Sequence, residues 1–105
     1  MADPQRGEVW LVDLGLVAKV RACLVVSVPI QEEDRALLTV LAHTTSPRGS
    51  RFEVRSSPPF LRPGVFDAQN IVTIPHAKLL RRLGRLSDNQ FREVEKALSL
   101  WLGLQ

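Results

Sequence analysis

The first three-quarters of the chain alternates short apolar runs with turn residues, which is the spacing of strands. Glu8-Val9-Trp10-Leu11-Val12-Asp13-Leu14 is rich in β-formers and stops at Gly15, so it predicts a strand and a turn. The span from Val20 to Val28 holds the continuous run Ala22-Cys23-Leu24-Val25-Val26, as expected of a central strand covered on both faces. Pro29 stops it, and Gln31 to Arg35 is a polar turn. Leu37 to Thr45 predicts a third strand, closed by Pro47 and Gly49. Arg51-Phe52-Glu53-Val54-Arg55 alternates charged and apolar positions, the pattern of a half-buried strand. The Pro-rich segment 56–64 is a rigid loop, Val65-Phe66 is too short to assign alone, and Asn70 to Ile74 is a strand ended by Pro75. Composition favours a helix over His76 to Leu86, although Gly84 interrupts it.

The C-terminal segment changes period. Ser87 followed three residues later by Gln90 forms a capping box, with Asp88 in the first turn. Phe91, Val94, Leu98, Trp101 and Leu102 then share one helical face, and Gly103 ends the helix. Together these elements predict one domain over residues 1–105, an α+β fold of five to seven short strands in a small antiparallel, barrel-like sheet with one amphipathic helix.

Length and charge narrow the classes of function. A chain of 105 residues supports one core. The single cysteine, Cys23, excludes an internal disulfide framework and reads as packing in the second strand. No apolar run is long enough to span a bilayer, and Met1 to Arg6 has no apolar signal core, so a cytoplasmic protein with no membrane partner is expected. Residues 1–47 carry four basic and six acidic groups, whereas residues 48–105 carry ten and five. Arginine outnumbers lysine eleven to three, which suits phosphate contacts. Nucleotide-binding, zinc-protease and esterase signatures are absent, and His43, His76 and Cys23 do not make a metal site, so no metal or other cofactor is expected.

The order of short elements is more specific than any one of them. Arg6-Gly7-Glu8-Val9-Trp10-Leu11-Val12-Asp13-Leu14 resembles the RGDIYWVDL strand of the MazF/PemK family of toxin endoribonucleases from type II toxin–antitoxin modules. Lys19-Val20-Arg21-Ala22-Cys23-Leu24-Val25-Val26-Ser27 is similar to its KxRPxLVVS segment, with Ala22 in place of proline. Thr45-Ser46 matches its xxTS and Asn70-Ile71-Val72-Thr73-Ile74 its xxIxTI strand, here followed by Pro75 instead of a common aspartate. The loop Gly15 to Lys19 is several residues shorter than in many members.

The resemblance implies an SH3-like β-barrel of the MazF/PemK/CcdB type and a sequence-selective, metal-independent ribonuclease acting on single-stranded RNA. The products would be 2′,3′-cyclic phosphate and 5′-OH ends. Arg21 and Thr45 would be catalytic, the first stabilising the phosphorane and assisting proton transfer, the second positioning the phosphate. Read from the sequence alone, the simpler reading wins for both: Arg21 as a strand-edge arginine paired with a carboxylate, and Thr45 as a β-branched strand residue with Ser46 turning the chain. His43, two positions before Thr45 on the same predicted face, is a candidate proton shuttle. Lys19, Ser46, Arg48, Arg51 and Asp67 are further candidate RNA contacts, while Trp10 and Phe66 read as core and Arg81, Arg82 and Arg85 as a solvated face. A homodimer is implied, with a basic groove near its interface that also takes an acidic, disordered segment of a cognate antitoxin. The C-terminal helix is expected to pack either on its own barrel or on its mate. Two alternatives remain: a non-catalytic inhibitory module of the kind that poisons DNA gyrase, and a nuclease-dead RNA-binding domain.

Overall fold

In the computed structural model, residues 3–17 and 19–104 are described. Met1, Ala2, Ala18 and Gln105 lie outside them, so the N-terminal hexapeptide and the Gly15–Lys19 loop are covered only in part. Six strands follow in chain order: β1 (Glu8–Asp13), β2 (Val20–Val25), β3 (Leu37–Thr44), β4 (Glu53–Ser56), β5 (Gly64–Pro75) and β6 (Leu79–Arg85). The helix α1 (Asp88–Leu102) ends the chain. They form one antiparallel sheet in the order β4-β5-β3-β2-β1-β6, with β4 and β6 at its two edges. The sheet is thus open between β4 and β6 and does not close into a barrel, while the antiparallel pairing and the terminal helix follow the expectation.

Alternation along the strands sorts the core into two layers. Val9, Leu24, Leu41 and Phe66 face the helix, meeting Val94 and Ala97. Trp10, Cys23, Val40 and Ala42 fill the opposite layer with Ile74 and Leu79. Successive residues of β2, Cys23 and Leu24, enter different layers, so this strand is covered on both sides as its apolar run predicts. Cys23 is a buried free thiol, and burial pushes its pKa up to about 12.

The helix forms as its caps dictate. Ser87 Oγ accepts from Gln90 N (3.2 Å), Gln90 Oε1 accepts from Ser87 N (3.4 Å), and Gly103 closes the last turn in the left-handed region. It packs on its own sheet, against β4 and β5. Arg6 fastens it from the start of the chain: its guanidinium donates to the Val26 carbonyl (2.8 Å) and to Glu95 (2.9 Å), and lies over the Phe91 ring.

Segment 76–86 is not helical. A 3₁₀ turn at His76–Lys78 leads into β6, which pairs with β1. The reason is tertiary. The β1 edge offers unpaired backbone groups, and Glu8, buried there, accepts from Trp10 Nε1 (3.1 Å) and pairs with Arg82 (3.2 Å). Gly84 belongs to this docking, since a Cβ there would lie 2.5 Å from the Phe60 ring. Helical propensity, worth a few tenths of a kcal/mol per residue, yields to this pairing.

Candidate functional site

The site grows out of an irregularity between β3 and β5. The two strands pair regularly from Leu37↔Pro75 to Leu41↔Ile71, then resume at His43↔Phe66 and Thr44↔Val65. One residue of β3 therefore stands against residues 67–70 of β5, a wide bulge that turns polar side chains outward. Asp67 Oδ1 accepts from Gln69 N (3.0 Å) and braces the bulge, while Ala68 stays buried and donates its N–H to the Phe52 carbonyl (3.0 Å). Val65-Phe66 and Asn70–Ile74 are thus two parts of one twelve-residue strand.

Beside the bulge, the chain leaves β3 at Thr44. Thr44 Oγ1 accepts from Ser46 N (3.0 Å), which bends Thr45 and Ser46 into solvent. The following loop wraps a carboxylate. Glu53 accepts backbone N–H bonds from Arg48 (2.9 Å), Gly49 (2.7 Å) and Ser50 (3.1 Å), with Gly49 at φ +84° as the turn requires. These bonds hold the Glu53 carboxyl below the usual carboxylate range. Gly64 lets β5 approach: a Cβ there would strike the Thr44 carbonyl oxygen and lie 2.8 Å from His43 Cε1.

A groove of about 840 Å³ results. Arg21 enters from β2, Thr44, Thr45 and Ser46 from the end of β3, and Arg48 and Glu53 from the loop and β4. Asp67, Gln69 and Asn70 line it from the bulge, and Trp101 from the last turn of α1. Five of the eight candidate residues are brought together here: Arg21, Thr45, Ser46, Arg48 and Asp67. Arg21 and Arg48 share the lining with Glu53 and Asp67, so within one chain the groove is mixed in charge.

The other three candidates lie elsewhere. His43 is buried with its ring edge-to-face on Phe66 (centroids 5.0 Å apart), because the strand ends at Thr44 and alternation does not continue to Thr45. Burial lowers its pKa, a hydrogen bond with the Ser56 backbone partly offsetting this, so the ring is neutral near pH 7. It does not line the groove as a proton shuttle would. Lys19, at φ +58° in the β1–β2 turn, borders a separate cavity with Asp13 and Lys78. Arg51 stacks on Phe52 (4.6 Å) and lines a depression toward α1. Sequence reasoning missed Thr44, Glu53, Gln69, Asn70 and Trp101. A carboxylate just after a Pro-Arg-Gly-Ser turn was the available signal for Glu53, and Asp-Ala-Gln-Asn inside a strand for the bulge.

Comparison with known proteins agrees with this architecture. An endoribonuclease in complex with its cognate antitoxin, from a mycobacterial species, superposes with a TM-score of 0.84 at 28% identity, over 97% of each chain. The Mycobacterium tuberculosis toxin MazF-mt6 gives a TM-score of 0.78 at 25% identity, over 93% of this chain and 98% of that one. A MazE-MazF structure from Deinococcus radiodurans shares the fold, with a TM-score of 0.81 at 20% identity over 98% of both chains. The family described as PemK-like, MazF-like toxin of type II toxin-antitoxin system matches residues 5–102, nearly the whole length. The chain belongs to that toxin family.

Proposed function

We propose that this protein is a sequence-selective, metal-independent endoribonuclease that cuts single-stranded RNA in the groove holding Arg21 and Thr45. The observation that carries the reading is convergence: Arg21 from β2, Thr45, Ser46 and Arg48 from the β3–β4 loop, and Asp67 from β5 line one groove. The family membership and the mycobacterial endoribonuclease neighbour support it.

The chemistry asks little else. The ribose 2′-oxygen attacks the adjacent phosphorus as the bond to the 5′-oxygen breaks, leaving a 2′,3′-cyclic phosphate and a 5′-OH. Negative charge builds on the phosphoryl oxygens, and a fixed guanidinium with a hydroxyl donor stabilises it by about 3–4 kcal/mol per donor in a preorganised site. Arg21 supplies the cation and Thr45 the hydroxyl. Asp67 is the groove carboxylate outside the Arg48–Ser50 N–H cradle, and it takes the 2′-OH proton; the departing 5′-oxygen is protonated from solvent beside Arg21. Arg48 and Ser46 bind flanking phosphates.

The same groove would receive an acidic segment of a cognate antitoxin, so inhibitor and RNA compete, and pairing of two copies would extend the groove into a homodimer of this single-domain chain in the cytoplasm. Purified protein incubated with long RNAs in EDTA should give fragments with cyclic-phosphate and 5′-OH ends. No cleavage across several RNAs, or a strict metal requirement, overturns the reading. Binding without turnover would mark a nuclease-dead domain instead.

A further inference from the structure

The groove contains one side chain that phosphate chemistry does not use. Every lining residue is polar or charged except Trp101, which is also its single aromatic group among the described residues. The helical stripe to which Trp101 belongs goes inward earlier, with Val94 buried and Phe91 and Leu98 packed against the core. At the last turn it reaches the groove wall, and Trp101 is left 43% exposed. The indole is nonetheless fixed. It meets the Phe52 ring in an edge-to-face contact, centroids 5.2 Å apart and planes at 62°, and Phe52 is itself buried and covered by the Arg51 guanidinium. Behind it, Gly103 closes the helix, its N–H and that of Leu104 donating to the Leu100 and Ser99 carbonyls (3.4 and 3.0 Å).

We propose that Trp101 is the stacking platform for one nucleobase of the bound RNA strand, which rests on the ribonuclease reading above. The juxtaposition is what a single strand needs: cations for its backbone and a rigid π-face for a base beside them. Arg21 and Arg48 line the groove as cations for phosphates, and the half-exposed indole is the apolar side chain among the described lining residues on which a flanking base sheds water. Stacking tolerates any base, so Trp101 contributes affinity and register, while discrimination among bases falls to the polar groups of the bulge, Gln69 and Asn70.

The test uses the wild-type chain, W101F and W101A with a twelve-nucleotide RNA in which every ribose is 2′-O-methylated, so that binding is read without cleavage. Fluorescence anisotropy of the labelled RNA should show W101A binding about 5- to 150-fold more weakly than wild type, with W101F close to wild type. Tryptophan emission of the wild-type protein should be quenched on titration, and that quenching should vanish in W101F, where only the buried Trp10 remains. Moving an abasic site along the RNA adds a readout that misfolding cannot imitate. At one position the lost base should weaken wild-type binding as much as W101A does, and should weaken W101A no further. Equal affinities of wild type and W101A, or abasic costs that add to W101A at every position, overturn the stacking role and leave the ribonuclease reading standing. Absence of any RNA binding by wild type overturns the stacking role, and the EDTA cleavage assay decides the ribonuclease reading separately.

Discussion

The β3–β5 ladder has two halves that differ in everything but their strands. From Leu37 to Leu41 the pairing is regular: Leu38, Val40, Leu41 and Ile74 go into the two core layers, and Thr39 and Thr73 bond each other across the ladder (2.7 Å). Beyond Leu41 the register breaks, the bulge 67–70 turns out, and the same strands present Thr44, Asp67, Gln69 and Asn70 to a groove. The regular half closes a core because apolar residues alternate there. The irregular half opens a site because Asp67, Gln69 and Asn70 stay toward solvent while Ala68 anchors the bulge in the core, and Gly64 allows the strands to come together again past it. Stability and chemistry are therefore carried by adjacent stretches of one pair of strands, and substitutions should separate them.

The largest stability effect belongs to the regular half. Leu41 is fully buried, and Leu41→Ala should cost about 2–5 kcal/mol in urea unfolding, through the cavity it leaves. Cleavage by the folded fraction should be largely kept, and a proportionate loss of intrinsic rate would show that the halves are not separable. Gly64→Ala comes next, at about 1–3 kcal/mol from overpacking against the Thr44 backbone and the His43 ring. Unlike Leu41→Ala, it should also lower cleavage, because it displaces the turn that carries Thr45. Wild-type cleavage by this variant would contradict the role given to the close approach.

Smaller effects appear with pH. His43 resists protonation in the fold because it is buried, so the unfolded chain takes the proton first. Stability should fall as pH drops below its ordinary value of 6.5, and level off below the folded value. His43→Asn should flatten that slope, read as the urea midpoint at pH 7.5 and pH 5; an unchanged slope would show that His43 is not the group responsible. Glu53 works lower down. Its depressed carboxyl contributes stability that is present above its ordinary value of 4.5 and is lost as pH falls through the folded value. Hydrogen-exchange protection factors of the Arg48, Gly49 and Ser50 amides should fall together in that acid window, and in Glu53→Ala at every pH. Independent behaviour of the three amides would mean that the carboxylate does not organise the loop.

What the sequence made legible follows the same division. The helix was readable because capping box, apolar spacing and terminal glycine are local signals that agree, and β2 because its apolar run has no other use than a doubly covered strand. Strand β6 was not, since its pairing depends on the β1 edge and on the Glu8–Arg82 ion pair, partners more than seventy positions apart. In the groove, Arg21, Thr45, Ser46, Arg48 and Asp67 were reached through motifs near strand ends. Glu53 and Trp101 were not, because one acts through backbone N–H groups of its own loop and the other arrives from the far end of the chain. His43 was misplaced by carrying strand alternation one bend too far.

The most direct measurement compares RNA cleavage by wild type and Arg21→Ala at matched folded concentration, in EDTA, with thermal melting followed in parallel. The rate should fall by about 10²–10³ for loss of one preorganised charge-stabilising donor, with a melting midpoint moved by less than about 2 °C because the side chain is exposed. A folded Arg21→Ala protein that cuts RNA at the wild-type rate would contradict it.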